Sequence, residues 1–596
     1  MTGVVRKRSY ENVLKGVAVD ANDESGTGVV LYPRPSLNQK NMQTDQRPWL
    51  AQYPAGIPAN VDVDSHPTLK ALLADTYRAY KDRPAFSCMG KDLTYGELDK
   101  MSTALGAYLH YRGLQPGDRV AVMMPNMLQY PVALHALLKA GLVIVNTNPL
   151  YTPREMKHQF TDSGCKAIII AENFAANLQS IIGETSIHTV VLTTIGGMLG
   201  WLKGGITNFV VRKVKKMVPE YDLPTAVDFQ TALDEGRKYK LPEFTGQPDD
   251  TIALQYTGGT TGVSKGAMLT NANLVANAAQ AKAWMTQKLT QGSDERMLCP
   301  LPLYHIFAFT VNSVAIYNHG ICNVLIVNPR DLSTIVKAFK DNKIAGMTGV
   351  NTLFNGLLND DDFRALDFRH LKLTVGGGMA VQRPVAERWQ KVTGVPLSEG
   401  YGLTETSPAA SMNPLTDKVR IGSIGVPLPN TVMRVWNKEE NRLATSEERG
   451  EIQIKGPQVM KGYLNRPEDT AKVLQDGWLS TGDIGMMSED GFFRIVDREK
   501  DMILVSGFNV YPNEVEDVIA GHPKVLECAA VGIPSERSGE VVKVFVVPKD
   551  KSLTKEEVIE FSRKELTGYK VPKEVEFRDD LPKSNVGKII RRHLRE

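Results

Sequence analysis

Short apolar runs alternate with amphipathic segments in the first third of the chain, and this alternation predicts the fold class. Apolar residues recur at helical spacing over 131–140 and 154–162. The runs with the length of buried strands lie at 120–124, 142–145, 167–171 and 190–193. Strands that alternate with helices predict an α/β fold whose mainly parallel sheet carries helices on both faces. Ligands of such folds bind beyond the carboxyl ends of the strands.

A segment rich in glycine and threonine, YTGGTTGVSKGA at 256–267, follows the strand-like run at 252–255. Glycine lets backbone N–H groups turn toward an anion, hydroxyl groups add donors, and Lys265 adds a point charge, so a triphosphate is the expected ligand. A surface turn is the alternative. The predicted nucleotide contacts in this segment are Tyr256, Thr257, Gly258, Gly259, Thr260, Thr261, Gly262, Ser264 and Lys265.

Two common nucleotide motifs do not describe this segment. A Walker loop needs a hydroxyl residue directly after its lysine, whereas Gly266 follows Lys265. No strand runs into a full GxGxxG motif, which argues against a dinucleotide fold. A second strand-like run, 371–375, ends in three glycines at 376–378, where either a bound flat ring or a tight turn explains the composition.

Length and composition narrow the remaining options. At 596 residues the chain exceeds what one hydrophobic core usually organises, so at least two domains are expected. A net charge of +3 provides no global field for nucleic acid, so no nucleic-acid partner is expected. Five cysteines without disulfide or metal spacing indicate reduced thiols in a cytoplasmic protein. No apolar stretch reaches the roughly 18 residues of a spanning helix.

The charged run DREKD at 497–501 marks a predicted linker, because charge runs are usually solvated. An α+β pattern follows it, with helices expected at 513–520 and 555–566 and strands at 528–531 and 541–547. The predicted division is an N-terminal extension without stable order at 1–48, a large domain at 49–496, a hinge at 497–501 and a small domain at 502–596.

A basic amphipathic segment at 201–216 leaves two interpretations open. Its apolar residues include Trp201 and Phe209, and its cations are Lys203, Arg212, Lys213, Lys215 and Lys216. Such a segment is typical of a helix that rests on an anionic bilayer, here the cytoplasmic face of an inner membrane. A solvated helix that packs its apolar stripe on the domain is the alternative.

Six motifs in order and spacing resemble the adenylate-forming superfamily, and most closely the bacterial long-chain fatty acid–CoA ligases, over residues 49–596. They are YTGGTTGVSKGA (256–267), PLPLYHIFAF (300–309), GYGLTET (400–406), DGWLSTGDIG (476–485), DREKD (497–501) and PKSNVGKI (582–589). The resemblance implies a large domain of mainly parallel sheets and a small mobile α+β domain. It also implies ATP, Mg²⁺ and coenzyme A, with a fatty acid converted first to acyl-adenylate and then to acyl-CoA.

The resemblance further implies roles for single residues. Lys588 bridges the substrate carboxylate and the α-phosphate, Glu405 binds Mg²⁺, and Thr404 contacts the α-phosphate. Tyr401, Gly402 and the glycines Gly376, Gly377 and Gly378 form the adenine slot, and Asp483 binds the ribose with help from Arg498. Lys500 occupies the hinge position, and Gly507 lies on the face that admits the coenzyme A thiol after rotation.

The resemblance places the acyl site around His305, with Tyr304, Phe307, Phe309 and the segment 350–354 beside it. Some long-chain ligases gate the acyl tunnel with a tryptophan where this chain has Phe309. An amphipathic core helix explains 350–354 equally well. Rival functions are a medium-chain or aryl-acid CoA ligase, a fatty-acyl-AMP ligase, and a membrane-surface protein that keeps the fold without catalysis. Chain-length optimum and oligomeric state, including a homodimer, stay open.

Overall fold

The computed structural model describes residues 47–257, 264–285, 287–416, 418–535, 537–584 and 586–595. The predicted N-terminal extension therefore lies outside the described residues except for its last two positions. Each strand and helix predicted from 118 to 194 is present, with ends that differ by a few residues. The predicted α/β architecture is confirmed.

The first sheet carries the predicted parallel strands. Its central strands run parallel, and the two at one edge pair antiparallel. In spatial order it consists of Gly462–Tyr463, Lys265–Thr270, Thr251–Thr257, Val143–Asn146, Arg119–Met123, Cys165–Ala171, Thr189–Thr193 and Val227–Asp228. The Gly/Thr-rich segment thus begins at the carboxyl end of a parallel strand, which is the expected position for a ligand site.

The second sheet is also parallel at its centre and places the other glycine cluster at a strand end. Its outer strands pair antiparallel. In spatial order it consists of Val426–Pro427, Ala409–Met412, Leu397–Gly402, Leu373–Gly376, Ile344–Gly349, Arg296–Cys299, Cys322–Leu325, Pro84–Cys88 and Lys91–Thr94. Gly377 and Gly378 follow Leu373–Gly376 directly, so both glycine-bearing turns lie at carboxyl ends of parallel strands.

Two smaller sheets complete the chain. The third, antiparallel, consists of Arg442–Leu443, Val432–Asn437, Gly450–Lys455, Trp478–Met487 and Leu474–Gln475, with Phe493–Arg498 on Trp478–Met487. The fourth consists of Phe508–Val510, Ile503–Val505, Gly539–Pro548 and Val525–Ser535, with Glu574–Phe577 on Gly539–Pro548. We call residues 47–498 the large lobe and 502–595 the small lobe, since a separate apolar core that includes Ile503, Val515 and Val544 supports the fourth sheet.

The charged run at 497–501 is shorter as a linker than its composition predicts. Arg498 pairs with Asp483 across the third sheet, so the first two residues of the run end the strand Phe493–Arg498. Only the 3₁₀ turn Glu499–Asp501 connects the lobes. After Lys588 the chain forms a single 3₁₀ turn, Arg591–Leu594.

The helices follow their capping signals. Pro153–Ser163 begins at a capping box in which Thr152 and Glu155 satisfy each other's backbone groups, and it ends at Gly164, whose φ of 63° suits glycine.

None of the helices in the described ranges combines the length and apolarity needed to cross a bilayer. The other α-helices are Leu69–Tyr80, Tyr95–Tyr111, Gln129–Lys139, Ala175–Gln179, Trp201–Phe209, Phe229–Gly236, Asn271–Met285, Ile306–Thr310, Leu332–Asp341, Asn351–Leu358, Asp361–Arg364, Arg383–Thr393, Pro467–Val473, Pro512–Ala520 and Lys555–Glu565.

Candidate active site

A cleft of about 2270 Å³ lies where the strand ends of the first two sheets meet the small lobe. The large lobe contributes Tyr256 and Thr257 from the first sheet and Gly377 and Gly378 from the second. The small lobe contributes Lys588. Two predicted sites far apart in sequence therefore share one cavity, and the second lobe completes it.

Lys588 lies directly against the glycine turn of the large lobe. A Cβ added to Gly378 would lie 3.1 Å from Lys588 Cε and 3.6 Å from its Nζ. Gly378 also has a φ of +80°, which L side chains rarely adopt. The bare backbone at this turn therefore leaves room for the lysine to enter the cleft.

A loop held at both ends carries this lysine. Its Ser584 accepts a hydrogen bond from the Lys588 N–H at 3.1 Å and returns one from its own N–H to the Lys588 carbonyl. Thr352 of the large lobe donates to the Gly587 carbonyl at 3.0 Å. A Cβ on Gly587 would meet Thr352 Oγ1 at 2.9 Å, so the glycine permits this close approach between the lobes.

The electrostatics of the cleft lower the pKa of Lys588. Desolvation is the main cause, and the nearby Arg498 cation adds to it, whereas Asp483 and Glu405 oppose it; the resulting pKa is about 8. An ammonium group that is poorly solvated and faces another cation is well placed to receive an anion. The site therefore has an unsatisfied preference for negative charge.

Tyr401, Asp483 and Arg498 form one connected group on the ribose side of the predicted site. The Tyr401 phenol donates to Asp483 Oδ2 at 2.7 Å, and Arg498 Nε lies 3.4 Å from Asp483 Oδ1. Burial and the Asp483 carboxylate raise the pKa of Tyr401, so the phenol stays a donor. Gly402 next to it could not carry a side chain, because its Cβ would lie 1.7 Å from the Pro408 carbonyl oxygen.

Glu405 is oriented by a tyrosine that the sequence analysis did not identify. Tyr463 donates to Glu405 Oε1 at 2.6 Å, and the Glu405 carbonyl accepts the Met460 N–H at 2.8 Å. Thr404 begins the same 3₁₀ turn and lines the cleft. One carboxylate oxygen of Glu405 is thus fixed by a protein donor, and the other remains for a ligand.

This donor set fits a magnesium ion that arrives with a nucleotide. Within the described ranges, no group of three or more histidine, cysteine, aspartate or glutamate residues is assembled to hold a metal. Mg²⁺ in nucleotide sites usually takes one or two carboxylates and completes its shell with phosphates and water. A single carboxylate such as Glu405 matches that mode of binding.

The Gly/Thr-rich segment is described at its two ends. The predicted nucleotide contacts Gly258, Gly259, Thr260, Thr261 and Gly262 lie outside the described residues, as does position 263. Lys265 forms an ion pair of 2.8 Å with Asp469 and lies over the Tyr463 ring. Tyr256 donates to Asp162 at 2.8 Å. The lysine predicted to contact phosphate is therefore neutralised by an aspartate from the helix Pro467–Val473.

His305 is neutral in this setting. It caps the helix Ile306–Thr310 by accepting the Phe307 N–H on Nδ1 at 3.3 Å, which assigns its proton to Nε2. Desolvation and the Lys588 charge lower its pKa to about 3. His305 therefore offers a hydrogen-bond donor to the cleft without a charge.

The aromatic residues near His305 separate into two kinds. Tyr304 and Phe307 line the cleft, and the Phe307 ring would lie 3.1 Å from a Cβ on Gly377. Phe309 is 0% exposed in the apolar core. Phe307, rather than Phe309, therefore faces the cavity at this end. Further apolar residues that line the same cleft are Ala281, Trp284, Met285, Met412, Ile424 and Leu428.

The segment 350–354 combines both interpretations given above. In the helix Asn351–Leu358, Phe354 is buried in the core, whereas Asn351, Thr352 and Asn355 face the cleft. Thr352 and Asn355 also donate to backbone carbonyls of the small lobe. This helix is thus a polar platform under the lysine loop.

Some predicted site residues stand away from the cleft surface. Gly376 is buried at the strand end, and Ser264 accepts a hydrogen bond from His158 through its carbonyl. Gly507 forms an exposed turn between Ile503–Val505 and Phe508–Val510. In contrast to these residues, Lys500 lines the cleft from the turn between the lobes.

No spacing signal in the sequence marks Tyr463, Asp469 or Asp162, because each contacts its partner across a long stretch of chain.

Comparison with known proteins gives a consistent result. The sequence pattern of the family described as AMP-binding enzyme matches residues 73–464, and that of the AMP-binding enzyme C-terminal domain matches 514–588. The chain is 53% identical over 551 residues to the long-chain-fatty-acid–CoA ligase of Salmonella typhimurium, covering 92% of this chain and 98% of that protein. It is 50% identical over 554 residues to the enzyme of that name from Haemophilus influenzae, with the same coverage. ATP-bound MatB from Rhodopseudomonas palustris shares 28% identity at a TM-score of 0.76, covering 89% of this chain and 98% of MatB.

Proposed function

The chain belongs to the AMP-binding enzyme family, and on that premise we propose how its cleft activates a fatty acid. Its reaction is ATP-dependent activation of the acid followed by thioester formation with coenzyme A, in keeping with relatives named long-chain-fatty-acid–CoA ligases. The proposal concerns the role of each cleft residue in this reaction. The observation that carries it is the position of Lys588 Nζ beside Gly378, inside the cleft of the large lobe.

In the first step, a carboxylate oxygen of the fatty acid attacks the α-phosphorus of ATP, and the bond to the β-phosphate breaks to release pyrophosphate. Two anions must meet, so the step needs positive charge at the meeting point. Lys588 supplies it, and Thr404 donates to an α-phosphate oxygen. Mg²⁺ held by Glu405 would neutralise phosphate charge when bound. His305 donates from Nε2 toward the carboxylate.

The nucleotide is held by the connected group described above. Tyr401 and the Gly377–Gly378 backbone enclose the flat base, and Asp483 accepts the ribose hydroxyls. Lys265 exchanges Asp469 for phosphate when ATP binds, because a triphosphate offers more negative charge than one carboxylate.

In the second step, the coenzyme A thiol attacks the acyl carbonyl carbon, and AMP leaves with the bonding electrons. The thiol needs an approach that Lys588 does not obstruct. A rotation of the small lobe about Glu499–Asp501, the short turn between the lobes, would withdraw the lysine and present the exposed hairpin turn at Gly507. One cleft then serves both steps.

Long-chain acids are the proposed substrates. The cleft has an apolar wall whose lining residues include Phe307, Trp284, Met285 and Met412. Each buried methylene contributes about 0.8 kcal/mol, so a chain of ten more carbons gains roughly 8 kcal/mol at most. Aryl or short acids would leave this wall uncovered.

Separate assays of the two steps test the proposal. Lys588→Ala should remove pyrophosphate release with a fatty acid and ATP, while consumption of supplied acyl-adenylate by coenzyme A persists. Lys583→Ala on the same loop is the matched control, because Lys583 pairs with Glu527 and Asp580 inside the small lobe. Equal pyrophosphate release by Lys588→Ala and the wild type would refute the assignment.

We propose further that the segment 201–216 rests on an anionic membrane surface. Trp201 is 89% exposed, and Leu202, Ile206, Phe209 and Val214 are each more than half exposed, so the apolar stripe does not pack on the large lobe. Two cations of the segment are engaged inside the protein, since Lys203 donates to the Met89 carbonyl and Arg212 makes a bidentate pair with Glu172. Lys213, Lys215 and Lys216 remain to face the lipid phosphates.

Vesicle flotation separates the contributions to this binding. Vesicles that contain phosphatidylglycerol should carry the wild type at low ionic strength, and Lys213→Gln/Lys215→Gln/Lys216→Gln should float less. Trp201→Ser should lower binding to the same vesicles without loss of acyl-CoA synthesis from dispersed substrate. Equal flotation of all three proteins would contradict the membrane role and leave the catalytic proposal intact.

A further inference from the structure

A buried ion pair joins the two lobes next to the turn that connects them. Asp497 is the penultimate residue of the strand Phe493–Arg498 and is 1% exposed. Arg591 lies three residues after Lys588 in the small lobe, and its side chain is 14% exposed. Arg591 Nη1 lies 3.2 Å from Asp497 Oδ1. Both residues line the cleft on the side of the turn between the lobes.

The small lobe satisfies Asp497 from two directions. Besides the guanidinium of Arg591, the N–H of Asn513 donates to Asp497 Oδ2 at 2.8 Å. Asn513 belongs to the first turn of the helix Pro512–Ala520, where the orphan N–H groups favour an anion. Among the described residues of the large lobe, the hydrogen-bond donor to the Asp497 carboxylate is the N–H of its neighbour Arg498, at 2.8 Å. The carboxylate therefore depends on the small lobe for most of its hydrogen bonds.

Arg591 is anchored independently within the small lobe. It makes a bidentate pair with Glu516, through Nε at 2.9 Å and Nη2 at 2.7 Å. Asp501 of the connecting turn lies 3.5 Å from its Nη1. The guanidinium thus stays fixed on the small lobe whether or not Asp497 is present, and Asp497 is the part of the network that belongs to the large lobe.

The geometry makes this contact specific to one orientation of the lobes. Asp497 is tied into the third sheet through its register with Ile484, whereas Arg591 and Asn513 follow the turn Glu499–Asp501. Any rotation about that turn separates Asp497 from both partners and exposes the charges to water. Other contacts between the lobes in the described part of the chain pair a charged group with a neutral one or join two neutral groups. Examples are Lys549 with Asn359 Oδ1 at 2.9 Å and Asn355 with the Leu526 carbonyl at 2.7 Å.

We propose that Asp497 and Arg591 are positioning residues that hold the small lobe, and with it Lys588, in the adenylation orientation. The inference rests on the proposed function, because it assigns a step to that orientation. The interlobe ion pair acts through Lys588 and opens each time the lobe turns for the thiol step. Its loss should therefore lower the first step and spare the second.

Asp497→Asn tests this with the least disturbance. The amide keeps the shape and still accepts the Asn513 N–H, while Arg591 keeps Glu516, so the charge across the lobes is what changes. Pyrophosphate release from fatty acid and ATP should fall about 10- to 100-fold, as for other buried charge pairs that lose one partner. The rate of acyl-CoA formation from supplied acyl-adenylate should match the wild type or exceed it.

Asp490→Asn is the matched control, since Asp490 pairs with Arg420 inside the large lobe. It should leave both rates unchanged.

Arg591→Lys is a second test, and it should impair the first step more than the second because a lysine cannot bridge Glu516 and Asp497 in the same geometry. For either variant, an equal fall in both steps or no change in either would overturn the inference. Failure of the wild type to form acyl-adenylate would instead refute the proposed function.

Discussion

Tyr401 donates a hydrogen bond of 2.7 Å to Asp483, and this bond joins the second sheet to the third across the cleft. Tyr401 is the penultimate residue of the strand Leu397–Gly402 in the second sheet, and Asp483 lies within the long strand Trp478–Met487. The ribose-binding carboxylate of the proposed site is therefore oriented by the residue proposed to contact the base. Base and ribose recognition depend on the same bond.

Removal of that bond should weaken nucleotide binding selectively. In Tyr401→Phe the ring remains and the Asp483 carboxylate loses its phenol donor, which for a charged acceptor is worth about 1.5–3 kcal/mol. We expect the Kd for ATP, measured by titration calorimetry, to rise at least ~10-fold, since each 1.4 kcal/mol is a factor of ten. Tyr111→Phe, at an exposed position, is the control. An unchanged Kd for Tyr401→Phe would show that the phenol does not orient the site.

Tyr463 should matter for the metal rather than for the base. Loss of its bond to Glu405 leaves that carboxylate without its orienting donor, and such changes typically weaken metal binding about 10- to 100-fold. Tyr463→Phe should therefore need more Mg²⁺ for half-maximal pyrophosphate release. Mn²⁺ binding in the presence of a non-hydrolysable ATP analogue, followed by EPR, should weaken in parallel. Tyr401→Phe should leave the Mn²⁺ affinity of the nucleotide complex near that of the wild type, which separates the two tyrosines.

The alkaline limb of adenylation should report Lys588. Its pKa of about 8 is below the usual value, so the ammonium charge is present below pH 8 and is lost as the pH rises through that value. The kcat/KM for ATP in the pyrophosphate-release assay should therefore fall about tenfold per pH unit above 8. Lys588→Arg, whatever its rate, should lack this limb because a guanidinium stays protonated. For the thiol step from supplied acyl-adenylate, the wild type and Lys588→Arg should show the same pH dependence above pH 8.

Gly402 illustrates a backbone constraint with a direct test. A Cβ there would lie 1.7 Å from the Pro408 carbonyl, a clash that no side-chain rotation can relieve. Gly402→Ala should lower the free energy of unfolding by about 1–3 kcal/mol and displace the turn that carries Thr404 and Glu405. Gly205 has nothing within 4 Å of its Cβ position and lies in the helix Trp201–Phe209. Gly205→Ala should therefore leave the free energy of unfolding unchanged or raise it by up to ~1 kcal/mol. Thermal denaturation of both variants and the wild type measures these differences.

The local elements of this architecture could be predicted from the sequence. Hydrophobic periodicity located the strands and helices from 118 to 194, because each element is encoded by its own residues. The motifs also located Lys588, Tyr401 and Asp483 in one cleft, although the contacts between them depend on the lobes meeting. The sequence did not predict the contacts between residues that are far apart in the chain. Tyr463 and Glu405 are 58 residues apart, and Arg591 and Asp497 are 94 residues apart.

The acyl end of the cleft shows the same limit at a single position. The resemblance puts Phe309 where some long-chain ligases carry a gating tryptophan, but Phe309 is buried in the core, whereas Phe307 lines the cavity. Sequence spacing alone does not decide which of two aromatics on the short helix Ile306–Thr310 meets the core, because that depends on how the helix packs against the rest of the chain.

The two phenylalanines should accordingly respond to truncation in opposite ways. Phe309→Ala removes a fully buried ring and should cost about 3–5 kcal/mol of folding free energy, with an unchanged preference among fatty acids. Phe307→Ala removes a half-buried ring beside Gly377, so it should cost less stability and change the relative kcat/KM across saturated acids from octanoate to stearate. Thermal denaturation and pyrophosphate release with this series measure both quantities on the same preparations. If Phe309→Ala shifted the chain-length profile while Phe307→Ala left it unchanged, the gate would lie at Phe309 after all, and the cavity wall would have to rearrange when a fatty acid binds.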